Sequence, residues 1–362
     1  MPADTTTQPR SGDAIPTGET LAELLDERGM TQTDLAARLG VSVKHVNGIV
    51  RRGDPLSAEV ALGLEKVFGV SATFWITREA HYRATLAHIE EARSLEDDLE
   101  WARSFPIREL TRRGYLPGGV EGAALVAAVL RFLGIADRAV WPIAGAAYRK
   151  SAVFTSDEHA LAAWLRAGEI RANRIPCAPY DRDRFRRVLH EVRPLTRLEP
   201  REWHPRLVEA CAEVGVAVVI EDTFPRARVN GAARWLTPSK ALIQLNLRHR
   251  WEDIFWFTFF HEAGHVLLHR KKAIFVEATA RSDDAEHARR EDEANRFAAG
   301  ILIPREHESE LRSLSLGDIT AFADRLDIAP AIVVGRLQHD GHFRHSVGNG
   351  LRRRLALPSQ AG

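Results

Sequence analysis

Two histidines four residues apart, His261 and His265, enclose a glutamate, Glu262, inside the run FWFTFFHEAGHVLLH at 255–269. On a helix, positions i and i+4 lie on one face about a turn apart, so the two imidazoles can grip one metal ion. Glu262, the next residue round the helix, stands close to such an ion without being needed as a ligand. This is the H-E-x-x-H arrangement, in which the glutamate acts as general base toward a metal-activated water. The apolar setting strengthens the reading. A buried helix gains from Phe and Leu and loses by holding imidazoles or a carboxylate without partners. A metal ion and its water are the expected partners; the alternative is a chance cluster satisfied by local hydrogen bonds.

A third ligand is sought downstream, where REDEANRFAAGILIP at 290–304 runs from an acidic cluster into a helical apolar pattern. Glu293 shares a helix face with Phe297 and Gly300–Ile301, so it is expected to complete a His₂Glu site with a fourth position left for water. Glu291 is the alternative, because sequence does not fix helix phase to one residue. His269 continues the histidine face by one turn and is expected to support the site or face solvent. A site of the H-E-x-x-H-x-x-G-x-x-H type is excluded, since Leu268 and Lys271 occupy the glycine and third-histidine places.

These residues need a scaffold. VEACAEVGVAVVIED (208–222) reads as a helix ending near Gly215 and a buried strand. AARWLTPSKALIQLNL (232–247) reads as two strands around a Pro-Ser turn. In the second, Leu242, Gln244 and Asn246 alternate against Ile243, Leu245 and Leu247, and this alternating strand precedes the histidine helix as a substrate-pairing edge strand would. Helices are expected over about Trp251–Arg270 and Asp284–Leu302, the latter stopped by Pro304.

The 362 residues are 45% hydrophobic and 27% charged, a globular composition long enough for two or three domains. A formal net charge of +1 makes any nucleic-acid surface a local one. The only cysteines, Cys177 and Cys211, form no disulfide framework and fit a reducing compartment. No apolar core marks a signal peptide at the start, and the longest apolar run, AALVAAVL at 123–130, is too short to span a bilayer. A soluble cytoplasmic protein that does not enter a membrane is expected.

A second function is written near the N-terminus, in LAELLDERGMTQTDLAARLGVSVKHVNGIVRRG at 21–53. Thr31 can cap a helix over about Gln32–Leu39, Gly40 ends it, and Ser42 caps a second over about Val43–Val50. Leu35, Ala36, Leu39, Val41, Val46 and Ile49 hold two short helices crosswise, the punctuation of a helix-turn-helix. The second helix shows Lys44, His45, Asn47, Arg51 and Arg52 outward. Its N-terminal residues would meet base edges, while Gln32 and the arginines meet phosphates. One short recognition helix reads few bases, so a homodimer on double-stranded operator DNA is expected.

FFHEAGHVLLH followed by EDEANRFAAGILIP resembles the ImmA/IrrE family of bacterial zinc metallopeptidases, which pairs an HExxH helix with a Glu-Ala-Asn-x-Phe-Ala helix ending in a Leu/Ile-Pro step. Weaker likeness runs through FPIRELTRRGYLP, GAARWL, ALIQLNL and VVGRLQHDG. The resemblance implies zinc on His261, His265 and Glu293, with Glu262 as the base. It also implies cleavage of a protein, since such cleavage inactivates transcriptional repressors in that family. The N-terminal stretch resembles the XRE (Cro-type) helix-turn-helix family. LSAEVALGLEKVFGVSATFWITREAHYR at 56–83 is closer to its HigA-like antitoxin branch. Val43 and Gly48 stand where other members often place base-reading polar residues.

The expected fold is multidomain α+β: an all-α helix-turn-helix domain followed by an α+β zincin-like metallopeptidase domain. The expected boundaries are a disordered tail over 1–17, the DNA-binding domain over 18–92, a mainly helical connecting region over 93–190, the peptidase domain over 191–345 and a poorly ordered basic tail over 346–362. Two functions compete: a DNA-binding regulator that cleaves a repressor through its fused metallopeptidase, and a HigA-like antitoxin or repressor, partnered by a toxin, whose zinc site is structural or sensory. The intact Glu262 favours the first, because a structural site needs no base beside an open metal position.

Overall fold

Capping chemistry sets the N-terminal helices. Thr31 Oγ1 accepts from the Asp34 amide at 3.1 Å while the Asp34 carboxylate accepts from the Thr31 amide at 3.2 Å. This reciprocal box starts α2, Gln32–Leu39, which follows α1, Thr17–Glu27. Gly40 stops α2 in the left-handed conformation at φ 69°, where a side chain would be strained. Ser42 Oγ accepts from the His45 amide at 3.1 Å and starts α3, Val43–Asn47. A single helix to about Val50 was the expectation; instead α3 widens into a π turn over Gly48–Arg52. Helices α4 (Ala58–Phe68) and α5 (Ala72–Ser94) follow, and Leu21, Leu25, Leu35, Val46, Ile49, Leu64 and Trp75 form the shared core.

The structure, a computed structural model, describes residues 14–141, 157–227, 229–247, 250–269 and 284–356. It divides into two units, Met1–Ala102 with Gly119–Val129, and Arg103–Gly118 with Leu130–Gly362. The tail expected over 1–17 lies outside the described residues as far as residue 13, and α1 already begins at Thr17. Short helices α6 (Leu99–Arg103) and α7 (Ile107–Arg112) and the longer α8 (Gly122–Leu133) continue the chain.

In the second unit, α9 (Glu158–Asn173), α10 (Arg182–Val192) and α11 (Pro200–Ala212) precede a three-stranded sheet. Its strands are β1 (Val216–Ile220), β2 (Gly231–Thr237) and β3 (Lys240–Leu245), in the order β1-β3-β2. β1 runs parallel to β3, pairing Val216 with Ala241 through Ile220 with Leu245. β2 runs antiparallel to β3, pairing Gly231 with Leu245 and Trp235 with Ala241. Val216, Val218, Ala241, Ile243 and Leu245 join the main core, while Ala217, Val219 and Leu242 pack with Ala172 of α9 on the other face. Covering both faces explains why β1 reads as an unbroken apolar run.

The alternating strand β3 is therefore central, and the edge beside it is β2. Gln244, one of the alternating positions of this strand, is fully buried and donates through Nε2 to the Trp164 carbonyl of α9 at 2.7 Å. Asn246 donates to the Val229 and Asn230 carbonyls. Residues before α8 also serve this unit: Arg113 donates to Glu221 at 3.0 Å and Tyr115 Oη to the same carboxylate at 3.1 Å, at the end of β1.

Helix α12, Glu252–Leu268, carries Phe255, Trp256, Phe259, Phe260 and Leu267 into the main core. Each such side chain contributes roughly 1.5–3 kcal/mol. Together they outweigh the several kcal/mol that burying one carboxylate costs. Helix α13, Asp284–Leu302, packs along α12 with Phe297 and Ala298, and α14 (Glu308–Ser313), α15 (Ile319–Leu326) and α16 (Pro330–His339) close the core. The segment expected as a poorly ordered tail is docked as far as it is described. Arg352 makes two bonds to Asp253, at 2.8 and 3.0 Å, and Arg353 Nε meets Glu252 at 2.8 Å. The Arg352 and Arg354 guanidinium groups each lie 4.5 Å from the Trp251 ring centre. Residues 357–362 lie outside the described residues.

Candidate functional site

The C-terminal half of α12 sets one face of the site. His261 Nε2 and His265 Nε2 lie 3.0 Å apart, as the i, i+4 spacing requires. The carboxylate that α13 brings against them is that of Glu291, at 3.2 Å from His261 Nε2 and 3.3 Å from His265 Nε2. Among the described residues, His261, His265 and Glu291 form a group whose ligand atoms all lie within 4.8 Å and could hold a metal ion. Two imidazole nitrogens and a carboxylate converging this closely fit a small divalent cation.

Glu293, expected as the third ligand, is not brought to the pair; its carboxylate lies 3.4 Å from His269 Nε2 and 3.5 Å from Arg289. Ala294 and Ala298 are the fully buried contacts of α13, and this phase turns positions 291 and 295 toward the histidines. Asn295, which the sequence reading did not single out, sits one turn after Glu291. Its Oδ1 lies 2.9 Å from His261 Nδ1. The i, i+4 pairing of Glu291 with Asn295 was the available signal. Similarly, His265 Nδ1 lies 2.9 Å from His269 Nδ1.

Glu262 turns inward toward β2, where its carboxylate accepts a hydrogen bond from the Ala233 amide. Burial pushes its carboxyl up to about 7, against the pull of the His265 and His261 charges. Gly231 makes the approach of β2 to α12 possible, since a Cβ there would lie 2.6 Å from Thr258 Cγ2 and 2.9 Å from Glu262 Oε1. Hydrogen bonds to His261 and then His265 hold the Glu291 carboxyl well below the usual carboxylate range. Burial works to lower the His261 pKa, but the Glu291 bond and the Glu262 and Glu291 charges raise it overall. The arrangement places three metal-type donors beside a buried base next to a strand edge.

In the first unit, Lys44, His45, Arg51 and Arg52 are exposed on α3 and the turn after it. Arg52 is paired with Asp54 at 2.7 Å, and Asn47 donates to Gln32 at 3.1 Å. Among the described residues, no helix is long and apolar enough to cross a membrane.

Two family models match the chain. A helix-turn-helix model covers residues 11–75, and a peptidase model described as the IrrE N-terminal-like domain covers residues 211–338. No curated protein matches. Among solved structures, an addiction module antidote protein of a HigA family from Coxiella burnetii is 28% identical, with 24% of this chain and 94% of that one covered and a TM-score of 0.22. The Pseudomonas aeruginosa antitoxin HigA with the higBA promoter is 34% identical, with 24% and 94% covered and a TM-score of 0.22.

Proposed function

We propose, from the match of residues 11–75 to a helix-turn-helix model and of residues 211–338 to an IrrE N-terminal-like peptidase model, a DNA-binding transcriptional regulator whose second unit is a zinc-dependent metalloendopeptidase. The observation that carries the proposal is the buried Glu262 carboxylate, held against the edge strand beside His261, His265 and Glu291. A site built only to hold a metal has no use for a base in that position.

His261, His265 and Glu291 would hold the ion; two imidazoles and one carboxylate are a donor set zinc takes in catalytic sites. Zinc, when bound, supplies Lewis acidity toward a water and a peptide carbonyl. Glu262 takes the proton from the water and returns it to the leaving amine. Its raised proton affinity suits both transfers near neutral pH. β2, paired within the sheet only to β3 among the described strands, offers an edge along which an extended substrate segment can align. The substrate class is a protein, with a transcriptional repressor the reading best matched to fusion with a DNA reader.

For DNA, Lys44 and His45 at the start of α3 would meet base edges, and Arg51 and Arg52 phosphates. Gln32 and Asn47 brace each other and would contact DNA from the same side. A homodimer on an operator follows from the small surface one such helix offers.

The decisive comparison is Glu262→Gln against His261→Ala. Gln is nearly isosteric and cannot accept the proton, and loss of a general base typically costs on the order of 10²–10⁴ in rate. Glu262→Gln is expected to retain zinc by metal analysis and to leave the target repressor uncleaved on immunoblot, with its promoters uninduced. If Glu262→Gln regulates and cleaves like wild type while His261→Ala fails, the metal is structural or sensory and the peptidase reading is lost.

A further inference from the structure

His265 faces the metal group with one ring nitrogen and a second histidine with the other. Its Nε2 lies 3.0 Å from His261 Nε2 and 3.3 Å from Glu291. Its Nδ1 lies 2.9 Å from His269 Nδ1. A hydrogen bond between two imidazole nitrogens needs an N–H on one and a lone pair on the other. When His265 offers the Nε2 lone pair to a metal, its proton sits on Nδ1, so His269 Nδ1 must accept. The His269 proton then sits on Nε2, a buried nitrogen that makes no hydrogen bond in this structure, and the Glu293 carboxylate, 3.4 Å away, is the acidic group within ion-pair reach of it. Only one order of donor and acceptor satisfies the imidazole pair.

His261 has the corresponding support in a single step, through Nδ1 to Asn295 Oδ1 at 2.9 Å. An amide oxygen only accepts, so the His261 proton also lies on Nδ1 and leaves Nε2 for the metal. Both ligand rings are therefore oriented from behind, one by Asn295 and one by a two-residue relay. His269 is well placed for this: it closes α12, its amide donates to the His265 carbonyl at 3.2 Å, and its side chain is only 13% exposed.

We propose that His269 and Glu293 are positioning residues of the metal centre, acting in series through the His265 Nδ1 to fix the tautomer and ring orientation that present Nε2 to the ion. The proposal rests on the zinc reading above. It gives Glu293 a role behind the ligands instead of among them.

The test measures zinc affinity of the full chain by competition with a chromophoric chelator, and the visible spectrum of the cobalt-substituted protein. Partners behind metal ligands are typically worth 10–100-fold in metal affinity. His269→Ala is expected to weaken zinc binding by about that factor, and Glu293→Ala to weaken it less. The double variant is expected to bind no worse than His269→Ala, because links in series do not add. His269→Asn keeps an oxygen near the Nδ1 position and cannot reach Glu293. It is expected to retain most of the affinity, to fold if His269→Ala does not, and to make Glu293→Ala silent. All variants are expected to keep the wild-type pattern of cobalt bands, showing an unchanged ligand set. Wild-type affinity in His269→Ala would overturn the relay. A larger loss in Glu293→Ala than in His269→Ala, additive in the double variant and with altered cobalt bands, would make Glu293 a ligand and also overturn it. A wild-type chain that takes up no zinc would remove the metal reading itself, and the relay with it.

Discussion

Gly231 is a single residue on which the placement of Glu262, the proposed general base, depends. Gly231→Ala would press a methyl group against Thr258 and the Glu262 side chain, at 2.6 and 2.9 Å. Overpacking of this kind costs about 1–3 kcal/mol. The variant is expected to show that loss in urea unfolding, to keep zinc in the purified protein, and to lose repressor cleavage because Glu262 is displaced. Full cleavage by Gly231→Ala would mean that Glu262 need not hold its place against β2. At this scale, His261, Glu262 and His265 were legible because their spacing lies within one helix. The choice between Glu291 and Glu293 was not, since it depends on how α13 rotates against α12. That rotation is set by Ala294 and Ala298, small residues whose importance shows only when the helices meet.

Among the elements, α12 is pinned at its first turn by residues a hundred positions later. Glu252 and Asp253 are buried there, and Arg352 and Arg353 neutralise them. Both members of the Arg352–Asp253 pair have side chains 9% exposed, so removing one strands the other. Breaking a buried pair costs about 3–5 kcal/mol. Asp253→Ala is expected to lose stability on that scale in urea unfolding, and Arg353→Ala to lose a comparable amount, because it strands Glu252, whose side chain is 2% exposed. Equal, small losses in both would show that the contact contributes nothing. The extents of α12, α13 and β1 followed from their apolar patterns and stop signals. The docked basic segment did not, because a run of arginines without apolar spacing looks the same whether water or carboxylates surround it. The burial of Gln244 was not legible for a related reason: its partner, the Trp164 carbonyl, belongs to a helix eighty residues upstream.

For the whole molecule, the division into two units predicts two unfolding transitions, only one of which responds to zinc. Zinc at 100 times its dissociation constant stabilises the unit that binds it by about 2.7 kcal/mol. Calorimetry with and without chelator is expected to move one transition and leave the other; a shift of both would mean one cooperative block. Operator binding by the full chain is expected to weaken steeply as salt rises, because phosphate contacts release counterions. Replacing Arg51 and Arg52 together by Ala is expected to weaken binding on every sequence and flatten that dependence, while Lys44→Ala changes preference between sequences. Binding indifferent to salt would remove the phosphate role. Docking of Arg352 and Arg353 onto the first turn of α12 also orders events during synthesis. The helix-turn-helix residues leave the ribosome early, whereas the chain from residue 102 to residue 352 takes roughly 10–50 s longer to make. A nascent chain can thus hold its helix-turn-helix residues outside the ribosome while α12 still lacks the clasp that pins its first turn.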